Sequence, residues 1–144
     1  MPRDPGPASR RRAGKRRLDG LVVLVVDDDW DAREILRVML EEHGARVLTA
    51  PGVGEAMRVL DDVKVGAVLA DLRMPRESGY DLVERLRGNR RWTKLPVIAV
   101  TALASSGDYL RTLSHGFDAH VVKPVEEETL LAVLRRLLPQ IPKR

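Results

Sequence analysis

Short apolar runs alternate with stretches of helical spacing along this chain. Residues 21–26 are continuously apolar and β-branched, the pattern of a strand buried on both faces. Beyond Asp27-Asp28-Asp29, the apolar positions Ala32, Ile35, Leu36, Met39 and Leu40 predict a helix over about 30–43, with Gly44 as its stop signal. Residues 46–49 predict a short second strand. Val53, Ala56, Met57 and Leu60 predict a helix over 51–60. Residues 66–70 predict a third strand that ends at Asp71, and Pro75 forces a turn soon after it. Tyr80, Leu82, Val83 and Leu86 mark a third helix, closed by Gly88-Asn89. Residues 95–100 predict a fourth strand, ending at Thr101. A weaker helix over 107–115 contains Leu110 and Leu113. Residues 120–122 predict a short fifth strand leading into Lys123-Pro124, and 126–138 predict the last helix. The acidic first turn of that helix (Glu126, Glu127, Glu128) and its later Arg135-Arg136 suit the helix dipole.

Strands alternating with amphipathic helices imply an α/β fold of (βα)5 form. Its sheet is parallel, covered on both faces and joined by right-handed crossovers. The parallel arrangement puts the C-terminal end of every strand on one edge, where open α/β sheets place their ligands.

Composition narrows the picture. A chain of 144 residues, 44% hydrophobic and 32% charged, is that of one globular domain. The absence of cysteine excludes disulfides and thiolate metal sites. No apolar run approaches the ~20 residues of a membrane span, and no secretory pattern opens the chain, so a cytoplasmic protein without membrane contact is expected. The net charge of +4 is unevenly spread: residues 1–19 hold seven Lys/Arg against Asp4 and Asp19, and the remainder holds 18 basic and 19 acidic groups. Residues 1–19 therefore read as a disordered basic arm, 20–139 as the folded body and 140–144 as a tail. Such an arm can contact nucleic acid nonspecifically through phosphates. It carries no aromatic residue and no base-reading motif, and its composition favours a solvated tail.

Four of the five strand ends carry polar groups that can do chemistry. Asp27 and Asp28 follow the first strand, Asp71 the third, Thr101 ends the fourth, and Lys123 follows the fifth. Each has a bland explanation singly, as a helix cap or a surface lysine. A joint accident on one edge is much less plausible. Clustered carboxylates repel one another, and a divalent cation with all-oxygen ligands, Mg²⁺ or Mn²⁺, neutralises them. A carboxylate can also attack phosphorus to give an aspartyl-phosphate. The cation and Lys123 would then offset charge on the phosphoryl oxygens, and the Thr101 hydroxyl could donate to one of them. Walker-type and Rossmann phosphate loops are absent.

LVVDDD, LADLRMP, VIAVTA and VVKP, in that order and spacing, resemble the receiver domain of two-component response regulators over roughly residues 20–139. The resemblance implies a flavodoxin-like, doubly wound sheet of strand order 2-1-3-4-5. It implies a phosphoacceptor module, not an enzyme beyond self-phosphorylation and self-dephosphorylation. Asp71 would take the phosphoryl group from a histidine kinase or phosphotransfer protein. Asp28 would bind Mg²⁺ directly, Asp27 through water, and Asp71 and the Arg73 carbonyl would complete the protein ligands. Thr101 and Lys123 would meet the phosphoryl oxygens, and the bond before Pro124 would be cis. A downstream protein would dock on the face made by the fourth helix, fifth strand and fifth helix. Where the family usually carries Tyr or Phe as a switch ring, this chain has His120. Arg73 and Leu103, two residues beyond Asp71 and Thr101, flank the route of the hydrolytic water and are expected to affect phosphoryl lifetime. Asp29 reads as a helix N-cap or first-turn residue.

Residues 116–125 resemble receivers attached to hybrid histidine kinases, so a stand-alone receiver in a phosphorelay or a detached hybrid-kinase receiver is expected. An enzyme reading competes: Asp27-Asp28-Asp29 offers the D-x-D of haloacid-dehalogenase-type phosphatases. Asp31 stands where that family wants Thr or Val, and its second acidic pair has no counterpart at a later strand end. A nucleic-acid binder working through the arm is a third reading, and no helix-turn-helix follows the body to support sequence-specific control.

Overall fold

The computed structural model describes residues 17–138. Strands β1 (Val22–Val26), β2 (Arg46–Ala50), β3 (Ala67–Ala70), β4 (Val97–Thr101) and β5 (Ala119–Val122) form one sheet. Helices α1 (Trp30–Glu41), α2 (Val53–Asp62), α3 (Gly79–Arg87), α4 (Ser106–Ser114) and α5 (Glu127–Leu137) connect the strands and close the fold. The strand order is β2-β1-β3-β4-β5, and every pairing is parallel. The expected fold class and strand order are observed, with element ends shifted by a residue or two, as is usual for ends read from pattern.

Alternation along the strands feeds two cores. Val23, Val25, Leu69, Ile98, Val100 and Val121 pack against α1 and α5 through Leu36, Leu40, Leu130, Leu131 and Leu134. Leu24, Val26, Val68, Ala70, Val97 and Ala99 pack against α2 and α3 through Val53, Ala56, Leu60, Leu82, Val83 and Leu86. Trp92 is buried in this second core and carries Arg91 on its ring. Gly44, which follows α1, has φ +96°, a conformation that costs glycine little and explains why it ends the helix region.

Three expectations need correction. The folded body begins before residue 20: Leu18 is fully buried, and its amide donates to the His43 carbonyl. A single leucine among charges gave no periodic signal, and only the folded core that also holds Leu36, Leu40 and Leu130 takes it in. The rest of the expected arm, residues 1–16, and the tail, 140–144, lie outside the described residues. Leu110, expected on the apolar stripe of α4, is 67% exposed, and Ile35 on α1 is 61% exposed. In both helices the stripe is narrower than spacing alone suggested, because the sheet covers only part of it.

Candidate functional site

The C-terminal edge of the sheet brings four of the expected side chains together. Asp27 follows β1; its amide donates to the Ala50 carbonyl of the neighbouring strand, and its side chain is almost wholly buried. Its Oδ1 accepts the Asp29 amide at 2.9 Å. Asp71 follows β3, its amide donating to the Val26 carbonyl, and its Oδ1 accepts the Arg73 amide at 3.3 Å. Lys123 reaches across from β5 and donates to Asp27 Oδ2 at 2.7 Å and to Asp71 Oδ2 at 3.1 Å. Asp28 is exposed beside them, and one oxygen each of Asp27, Asp28 and Asp71 lie within 4.8 Å of one another. The Lys123–Pro124 bond is cis.

Burial alone would push the Lys123 ammonium down. Hydrogen bonds to Asp27 and then Asp71, with their charges, outweigh it and hold the group above its ordinary value of 10.5. A raised lysine stabilises the fold fully below that ordinary value, and the stabilisation is lost as pH rises through the raised one. Thermal unfolding temperature is therefore expected to fall more steeply above pH 10.5 in the wild type than in Lys123→Met. Parallel slopes for the two proteins would contradict the pairing.

Thr101 is buried at the end of β4, and its Oγ1 accepts the Leu103 amide at 3.3 Å. A hydroxyl that accepts one bond keeps its own proton to give. His120 lies on β5, with Nε2 2.7 Å from the Leu103 carbonyl and Nδ1 3.0 Å from Thr112 Oγ1. Asp29 caps α1, its side chain accepting the Asp31 amide. Trp30 is largely exposed beside the acidic residues.

Two residues at this edge escaped the sequence reading. Arg33, on the first turn of α1, donates to the Asp27 carbonyl at 2.7 Å and so braces the strand end that carries the acidic pair. Gly79 opens α3 so close to the strand that an added Cβ would collide with the Asp71 carbonyl oxygen. Its amide also donates to the Leu72 carbonyl at 3.1 Å. A glycine is what lets α3 abut the Asp71 backbone. Neither contact has a spacing signature.

Comparison with known proteins agrees with this geometry: the family model for the response regulator receiver domain matches residues 23–135. The chain belongs to that family. This receiver is 38% identical over 114 residues to a 14.6 kDa protein of Leptolyngbya boryana, covering 79% of this chain and 87% of that one. It is 34% identical over 117 residues to the response regulator Rre1 of Synechocystis, covering 81% of this chain but only 51% of Rre1. Among solved structures, the chemotaxis protein CheY4 of Vibrio cholerae superposes with a TM-score of 0.77 at 28% identity, covering 82% of this chain and 98% of that one. The chain thus spans about half the length of several curated relatives it matches. As a receiver it is a phosphoacceptor signalling module of two-component systems, a class that works with histidine kinases and downstream effectors. The phosphatase reading is not favoured: Glu127 and Glu128 lie in α5, so they supply no second acidic pair at a strand end. No helix among the described residues is long and apolar enough to cross a membrane.

Proposed function

We propose that Asp71 is the phosphoacceptor, that Asp27 and Asp28 with Asp71 and the Arg73 carbonyl hold Mg²⁺, and that Thr101 and Lys123 receive the phosphoryl oxygens. The observation that carries this is the place of Asp71 between an acidic pair and a lysine that spans both. An Asp71 carboxylate oxygen forms a bond to phosphorus as the bond from phosphorus to the donor breaks, and the donor atom keeps that electron pair. With a histidine kinase or phosphotransfer protein the broken bond is P–N, and the imidazole nitrogen recovers its electrons. The three carboxylates converge closely enough to suit a small, all-oxygen dication, which when bound would offset phosphoryl charge. Lys123 keeps its charge throughout the working pH range and supplies the second positive group. Water attacking phosphorus breaks the bond to the Asp71 oxygen, which keeps the electron pair as carboxylate while inorganic phosphate leaves, so any turnover is self-phosphorylation and self-dephosphorylation.

The downstream partner docks on the face formed by α4, β5 and α5, where Tyr109, Leu110 and Val122 are exposed. The protein is placed in the cytoplasm, where its kinase would be met. Nonspecific contact between residues 1–19 and nucleic acid stays a subsidiary reading that rests on composition.

Intact-mass measurement after incubation with Mg²⁺ and a small acyl phosphate is expected to show one added phosphoryl group, lost when a chelator removes the metal. An unmodified wild type under several donors would overturn the reading. Arg73 and Leu103 lie beside the acceptor and the hydroxyl, with the Arg73 amide on Asp71 and the Leu103 amide on Thr101. Replacing both with Ala is expected to change the rate of phosphoryl loss by about threefold or more, as access of water to the acyl phosphate changes. An unaltered decay rate in the double variant would rule out that influence.

A further inference from the structure

Helix α1 carries apolar side chains that the sheet does not cover. Leu36 and Leu40 face the core, whereas Ile35 and Val38 are 61% and 47% exposed. With Met39 they floor a groove of about 470 Å³ whose remaining lining is Glu34, Glu42 and, from α5, Glu127. Positions 35, 38, 39 and 42 recur at helical spacing, so the groove runs along α1. Half of its lining is acidic and none of it is basic. Arg37, beside it on α1, is committed to Glu34 and Glu41. Exposed apolar surface edged by one sign of charge suits a segment of the opposite sign that has hydrocarbon to bury.

The chain itself supplies such a segment, and the structure shows where it joins the body. Arg17, at the start of the described residues, donates to Glu128 at 3.4 Å. Leu18 is buried in the core with Leu36 and Leu130, and its amide donates to the carbonyl of His43, just beyond the end of α1. His43 Nε2 lies 3.1 Å from Glu127 Oε1, so Arg17 stands next to the end of the groove that Glu127 lines. Residues 1–16 precede it with six Lys/Arg against Asp4 alone. Arg10, Arg11 and Arg12 lie five to seven residues before Arg17, an extended reach of about 17–25 Å. The twelve residues of α1 are about 18 Å long, so this triplet can reach Glu34 while Lys15 and Arg16 lie by Glu42. Arginine stems are hydrocarbon and cover apolar surface while their heads meet carboxylates at its rim.

We propose that residues 1–16 dock along α1, in the groove of Ile35, Val38 and Glu127, as an intramolecular cover for this face. A second copy of the chain fits the groove worse: a two-fold pairing would set Glu34, Glu42 and Glu127 against the same three residues. Each exposed ion pair is weak by itself. Attachment through Leu18 makes the contact intramolecular, and a short linker holds the segment at millimolar effective concentration. The contact loosens as salt rises, and any protein arriving at the outer face of α1 must displace it.

The test is paramagnetic broadening of amide NMR signals in the full chain. The sequence has no cysteine, so Ala13→Cys takes a single nitroxide within the basic segment. Amides of residues 34–42 are expected to lose most of their intensity relative to the reduced label, while those of α3, which packs on the other core, keep theirs. Raising salt to about 1 M, where screening acts within ~3 Å, is expected to restore the lost intensity. Glu34→Gln with Glu42→Gln in one chain is expected to restore most of it at low salt, with amide positions in the sheet unchanged, which separates loss of docking from loss of fold. Unchanged broadening in that double variant would overturn the proposal, since the carboxylates would not hold the segment. Uniform or absent broadening would show that residues 1–16 stay off the body, and would overturn it as well. Broadening centred on Asp27, Asp28 and Asp71 would place the segment at the phosphoacceptor edge instead, against the proposal. Isotope-labelled chain without nitroxide, mixed with unlabelled chain that carries it, should keep full intensity. Broadening in that mixture would make a second copy the occupant and reject the intramolecular cover.

Discussion

Asp71→Ala is expected to bring phosphoryl incorporation from a small acyl phosphate to background, at least about a hundredfold below wild type. No neighbour can take over. Asp27 is more deeply buried than Asp71 and its oxygens are held more tightly, at 2.7 Å by Lys123 and 2.9 Å by the Asp29 amide against 3.1 and 3.3 Å for the two bonds on Asp71. Asp28 is exposed and lies outside the reach of the Lys123 bonds. The fold should survive the change. Lys123 keeps its shorter bond to Asp27 when the bond to Asp71 is lost, and one of three mutually repelling carboxylates is gone. The unfolding free energy is expected to change by no more than about 1 kcal/mol. Intact mass and a urea titration read the two effects separately. Incorporation persisting in Asp71→Ala would move the nucleophile elsewhere.

The largest stability loss is expected at the opposite edge of the sheet, at Arg87→Ala. Arg87 ends α3 and is mostly buried. Its guanidinium donates to the carbonyls of Gly116 at 2.9 Å, Trp92 at 3.0 Å and Leu95 at 2.8 Å, and to Asp118 Oδ2 at 2.8 Å. That same Asp118 oxygen accepts the Val97 amide at 2.9 Å, which starts β4. One side chain therefore ties the end of α3 to the entrances of β4 and β5. Truncation leaves several carbonyls and a carboxylate without their donor, at a cost of about 2–4 kcal/mol. Arg87→Lys should recover only part of this, because an ammonium cannot reach the same set of acceptors in a plane. A loss below about 1 kcal/mol in urea unfolding would show that solvent replaces these bonds. The phosphoryl chemistry of Arg87→Ala, measured well below its unfolding temperature, should stay close to wild type, since the residue lies at the far edge from Asp71.

Much of the molecule was legible in the chain. The strands are dense in Val, Leu, Ile and Ala, and the helices repeat apolar positions at 3.6-residue spacing, so the (βα)5 alternation follows from local pattern. Parallel order then puts Asp27, Asp28, Asp71, Thr101 and Lys123 on one edge without any coordinates. What that pattern could not carry were contacts whose partners lie far apart in sequence and differ in type. Leu18 joins the core from inside a basic stretch because α1 and α5 leave room for it. Gly79 looks like any helix-start glycine until α3 is set against Asp71. Arg87 reads as one more charged residue at a helix end, and becomes a tie only when β4 and β5 arrive beside it.

His120 divides the two kinds of knowledge most clearly. Sequence alone marks it as a departure at the position of a switch ring. It could not say what the ring touches, because Leu103 and Thr112 come from a loop and a helix whose relative placement is set by the packing of β4 and β5. The chemistry available at the phosphoacceptor edge is thus a property of residue types and strand order, which short-range pattern encodes. Which groups the His120 ring meets depends on where the loop after β4 and helix α4 come to lie, and only the folded arrangement of strands and helices decides that.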